Sequence, residues 1–118
     1  MKPYEILKAA AELPWTQGEA ARDANGIPCE PWSKRAVCFC VHGAITKAGL
    51  NAPFRVRQEA RDEMEAFVGS NLRFWNDAAG RTAKDAKAAL LDCAELLETE
   101  EMIEAGIAGL QKRPGHAA

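Results

Sequence analysis

Apolar residues recur at helical spacing through most of the chain. Ile6, Leu7, Ala10 and Leu13 follow Pro3, a residue suited to a first helical turn, and Pro14 ends the pattern, which predicts a short one-faced helix. Ser33 reads as an N-cap for a second helix over about 34–48. There Val37, Cys40, Val41, Ala44, Ile45 and Ala48 form one stripe and Phe39 falls on the opposite side. Apolar residues nearly all round its first half mark that helix as the buried centre of the fold. A third helix is predicted over about 54–70, with Val56, Ala60, Met64, Phe67 and Val68 on one face. A fourth starts after Thr82 with Ala86, Leu90, Cys93, Ala94 and Leu97 as its stripe. That stripe weakens at residues 98–101 and resumes at Ile103, Ile107 and Leu110, so either one long helix continues or Thr99 caps a fifth. Between the first two helices, Asn25-Gly26 is a turn signal, and a small β-hairpin is expected at about 19–29 with a plain loop as the alternative. The fold expected is mainly α: a compact bundle of four to five helices around the 34–48 helix. It forms a single domain over 1–112, with a frayed tail over 113–118.

The pattern breaks most sharply at Phe74-Trp75-Asn76-Asp77-Ala78-Ala79-Gly80-Arg81-Thr82. Trp75 is a large apolar anchor with one N–H to satisfy, Asn76 and Asp77 favour turns, and Gly80 can take a positive φ. Thr82 with Asp85 three residues on is a weakened capping box. An Asp77–Arg81 pair across the turn is expected. The stretch reads as a corner that sets the angle of the last helix. The alternative is a binding site on the same corner, formed by Trp75, Asn76, Asp77 and Arg81, with Asp23 converging from the other turn.

Charge narrows the choice of partners. The net charge of −2 is no match for nucleic acid taken as a whole. The distribution is uneven. Lys34, Arg35, Lys47, Arg55, Arg57 and Arg61 are opposed over their stretch only by Glu59, whereas Asp92, Glu95, Glu98, Glu100, Glu101 and Glu104 have no basic residue among them. Such polarity suits steering of, or pairing with, another protein. No apolar run approaches the ~18 residues of a membrane span, and charges interrupt the N-terminal segment where a secretory signal would lie. The expected setting is a reducing cytoplasm in which Cys29, Cys38, Cys40 and Cys93 remain free thiols.

Candidate chemistry is sparse. On a helix, Cys38 and His42 would be i, i+4 neighbours, a weak start for a metal site or a Cys–His pair that lacks further ligands or an orienting residue. There is no phosphate-loop pattern, since Gly43 and Gly80 are isolated. Arg55, Arg57 and Arg61 with Phe54 form a candidate basic patch, with a solvated helix face as the plainer reading. No cofactor is implied.

Three motifs occur in order: Trp15-x-x-Gly18-x-x-Ala21-x-Asp23-x-x-Gly26, Cys40-x-x-Gly43-Ala44-Ile45, and Trp75-Asn76-Asp77-x-x-Gly80-Arg81-Thr82. Together they resemble a family of short bacterial and phage-encoded proteins, a domain of unknown function, over about residues 5 to 97. The resemblance implies a small helical cytoplasmic protein, often in a phage or mobile-element setting, and carries no catalytic residue to transfer. The family pattern has an apolar residue where this chain has His42, which argues against His42 as a shared catalyst. The function expected is that of an interaction or regulatory accessory module, alone or as a homo-oligomer, leaning away from enzymatic activity. The alternative is a small-molecule- or metal-binding protein, possible enzymes included, that uses the Asn76-Asp77-Arg81 corner.

Overall fold

The computed structural model describes residues 1–111 and is mainly α-helical, with five helices and a small three-stranded antiparallel sheet. The elements are α1 (Pro3–Ala11), β1 (Ala21–Arg22), β2 (Pro28–Cys29), β3 (Cys38–Phe39), α2 (Val41–Ala48), α3 (Phe54–Val68), α4 (Leu72–Asp77) and α5 (Ala83–Gln111). The tail expected to fray lies outside the described residues.

α1 buries Ile6, Leu7, Ala10 and Ala11. It runs antiparallel along α5, as three surface ion pairs trace: Lys2 with Glu101, Lys8 with Glu98 at 2.8 Å, and Glu12 with Lys87 at 3.8 Å. These pairs mark the alignment. The apolar seam of Ile6, Leu7 and Ala10 with Leu90, Cys93 and Ala94 supplies the stability, because exposed ion pairs contribute little. α5 is continuous past Thr99, so the fifth-helix alternative does not arise. The capping box at its start forms as expected: Thr82 N donates to the Asp85 carboxylate at 3.0 Å, and Asp85 N donates to Thr82 Oγ1 at 3.2 Å.

The hairpin also forms. β1 and β2 pair with Ala21 opposite Cys29, around a loop in which Gly26 has a φ of 78°. β1 is the middle strand, in the order β2-β1-β3, and Phe39 lies opposite Ala21 on its other side. Phe39 additionally donates to Pro14 O at 2.8 Å and accepts from Thr16 N at 2.9 Å, which ties the Trp15 segment to the sheet and leaves Trp15 half-buried.

The central helix starts later than its periodicity implied. Residues 34–40 are not helical: Cys38 and Phe39 form β3, and Cys40 is the N-cap of α2, its sulfur accepting from Gly43 N at 3.3 Å. Ser33 caps only a local turn, accepting from Arg35 N. A short apolar run such as Ala36-Val37-Cys38-Phe39-Cys40 fits a strand as well as a helix, and pairing with β1 decides the matter. The off-stripe position of Phe39 was the mark of that extended backbone. Gly43 is demanded by packing: a Cβ there would stand 1.9 Å from Ala20 O, the carbonyl that also accepts from Cys40 N. Only glycine lets α2 approach the sheet so closely.

α3 buries Val56, Ala60 and Met64 and ends at Gly69, whose φ of 72° gives a left-handed cap. Phe67 was expected on the buried face and is instead exposed. The first part of the corner is itself helical. Asn71 caps α4 by accepting from Arg73 N and Phe74 N, and Leu72 and Asn76 point into the core.

Candidate functional site

The residues the sequence singled out hold the molecule together. Asn76 is fully buried, and every hydrogen-bonding position of its amide is engaged. Its Oδ1 accepts from Trp15 Nε1 at 2.7 Å and from Val41 N at 2.9 Å. Its Nδ2 donates to Thr16 O and to the Asp77 carboxylate, both at 3.0 Å. One side chain thus pins α4 to the Trp15 segment and to the first residue of α2. Asp77 adds a bond from Gly18 N at 2.9 Å, and Gln17 Nε2 reaches the carbonyls of Asn76 and Ala78.

The expected Asp77–Arg81 pair is absent. Arg81 Nε donates to Trp75 O at 2.9 Å and its guanidinium lies 4.0 Å from the Trp75 ring centroid, a cation–π contact. Asp23 does not join Asp77: it folds its own hairpin, accepting from Asn25 N and Ile27 N. Arg22 bridges the hairpin to the Gln17 carbonyl. The recess beside Asp77 and Gly18 is about 20 Å³, room for about one water. The Cys38–His42 idea loses its helical geometry, because Cys38 lies in β3 with its sulfur 3.9 Å from Arg22 O. Among the described residues, no group of three His, Cys, Asp or Glu side chains is placed to hold a metal ion, and no helix is long and apolar enough to cross a membrane.

A different group of residues forms an open site. Two adjoining hollows, of about 360 and 310 Å³, share His42, Arg61 and Arg73 as common lining. His42 stands on the first turn of α2, Arg57 and Arg61 one turn apart on α3, and Arg73 on the first turn of α4. Trp32, 59% exposed, and Phe54, 64% exposed, line the larger hollow, together with Glu30 and Thr46. Arg61 Nη1 contacts His42 Nε2 at 3.2 Å. Arg57 donates to Gly49 O at 3.3 Å and lies 5.4 Å from the Phe54 centroid. Among the described residues, none of Arg57, Arg61 and Arg73 forms an ion pair with a carboxylate.

Cations predominate around His42, although Glu30 lines the larger hollow and Glu65 the smaller, where its charge acts on the imidazole against the arginines. Burial lowers the pKa of His42, and the charges of Arg61 and Arg73 lower it further, so the imidazole is neutral near neutral pH. With Arg61 donating to Nε2, the neutral ring carries its proton on Nδ1, a tautomer assigned from that contact. His42 Nδ1 and Arg61 Nε are buried without a hydrogen-bond partner. Leaving such groups unpaired costs about 1–3 kcal/mol each, so both are donors in want of an acceptor. An oxyanion is the acceptor that guanidinium forks match best.

Of the sequence patch, Phe54, Arg57 and Arg61 line one hollow and Arg55 does not. Arg55 turns to another hollow, with Met1, Glu59 and Glu63, while Arg73 and Trp32 enter from segments that no local pattern joins to it. The available hint was the pairing of Arg57 and Arg61 at i, i+4, where like charges repel across one helical turn.

No curated protein and no solved structure matches this chain. Residues 1–96 match the family of unknown function DUF6197, and the chain belongs to that family. The match ends within α5, so the last turns of that helix lie beyond it.

Proposed function

We propose that this member of the family is a binding module that captures an anionic group in the cleft between α2, α3 and α4. The observation that carries the reading is the convergence of Arg57, Arg61, Arg73 and His42 from three helices, where Glu30 and Glu65 line the hollows but, among the described residues, no carboxylate is ion-paired with these arginines. Gathering like charges destabilises a fold, and a bound anion offsets that cost. Titration of the intact protein with pyrophosphate tests the reading. Saturable binding that is lost in Arg61→Met supports it, and absence of heat or spectral change at low salt overturns it.

Docking of another protein is a second reading, favoured by the far end of α5. Met102, Ile103 and Ile107 are exposed there beside Glu98, Glu100, Glu101 and Glu104. The partner that fits is a basic amphipathic helix, its apolar face on the three side chains and its cations opposite the glutamates. Reversing the charges of Glu100 and Glu104 tests it: a basic helical peptide that binds the wild type should lose affinity. A regulatory accessory role in a phage or mobile-element setting combines both surfaces, one for a ligand and one for a partner. A cytoplasmic location accords with four free cysteines.

A further inference from the structure

We infer that the ligand of the cleft is a nucleoside phosphate, its phosphates on Arg61 and Arg73 and its base against Trp32 and Phe54. The inference rests on the anion-binding reading and adds the identity of the rest of the ligand. Four observations carry it. The arginines and the two aromatic rings line the same hollow, so one small molecule can touch both. Its volume of about 360 Å³ falls in the range of about 300–1,000 Å³ usual for small-molecule sites. Trp32 and Phe54 are both more than half exposed although they are large and apolar, and flat rings at the rim of a cationic hollow suit a planar base. Glu30 and Thr46 line the same hollow and provide acceptors for the amino group of a base or the hydroxyls of a ribose, which a bare phosphate would leave unused.

A mononucleotide fits better than a strand. The basic residues gather around one open hollow, and the chain carries a net charge of −2.

The test compares ligands on the full chain. Calorimetry at low salt with adenosine diphosphate and with pyrophosphate separates the contribution of the base from that of the phosphates. The nucleotide should bind about tenfold more tightly, the scale of one base stacked on an aromatic ring. Trp32→Ala, at an exposed position, should abolish that advantage, so that the nucleotide and pyrophosphate bind alike, whereas Arg61→Met should weaken both. Equal affinity for the two ligands overturns the nucleotide inference and leaves the anion site standing. Failure of both to bind overturns both. Tighter, strongly salt-dependent binding of a short single-stranded oligonucleotide overturns the mononucleotide in favour of nucleic acid.

Discussion

Two polar clusters share α4, and they treat their hydrogen bonds in opposite ways. Asn76, on the inner side, has four partners for four positions and no exposure. Arg61 and His42, at the cleft, contact each other and leave one nitrogen apiece buried and unpartnered. A saturated network fixes one conformation, and an unsaturated one stores capacity to bind. On the proposed reading, the contrast separates residues that build the fold, Asn76 among them, from residues that bind a ligand.

The largest expected effect is on the saturated cluster. Asn76→Ala leaves Trp15 Nε1, Val41 N and Thr16 O without their partner and should cost about 3 kcal/mol or more of stability, read by urea denaturation. A loss below about 1 kcal/mol would show that water replaces the amide and would break the comparison. Gly43→Ala comes next: the new methyl meets Ala20 O, and the backbone shift it forces should cost about 1–3 kcal/mol in the same assay.

The cleft should behave in the reverse sense. Arg73→Met removes one of three gathered cations from an exposed position, so stability should hold or rise by about 0.5 kcal/mol while pyrophosphate affinity falls at least about tenfold. A stability loss as large as that of Asn76→Ala would make Arg73 a structural residue.

A smaller effect follows from pH. The folded state holds the pKa of His42 below its ordinary 6.5, so the unfolded chain binds the proton more readily. Stability from the neutral imidazole is full above pH 6.5 and declines as the pH falls through and below that value. His42→Gln should flatten this part of the stability profile. A bound anion favours the imidazolium and should shift the His42 titration upward by NMR. The smallest effect concerns thiols: burial pushes Cys93 up to about 11, so alkylation at neutral pH should modify the partly buried Cys29 well before Cys93.

Much of the scaffold was legible in the sequence because its signals are local. The α1 stripe, the Asn25-Gly26 hairpin and the Thr82–Asp85 cap each declare themselves within a few residues. The start of α2 did not, because a run from Ala36 to Cys40 suits either backbone until β1 supplies a partner. The corner was recognised, but the identity of its partners was not, since Asn76 acts on Trp15, Thr16 and Val41 far away in the chain. The cleft was the least legible. Arg57 and Arg61 declare a pair on one helix face, whereas Arg73, His42 and Trp32 join them only through tertiary packing.

The central claim is that the unsaturated cluster binds and the saturated one does not. One NMR titration of the intact protein with pyrophosphate follows both at once, through the Arg61 Nε–H signal and the Asn76 side-chain amide. The account predicts a saturable shift at Arg61, with Arg73 and His42 moving alongside it, and an Asn76 amide that stays in place. Shifts confined to Asn76 and Arg81, or no shift at Arg61 at any pyrophosphate concentration, would contradict it.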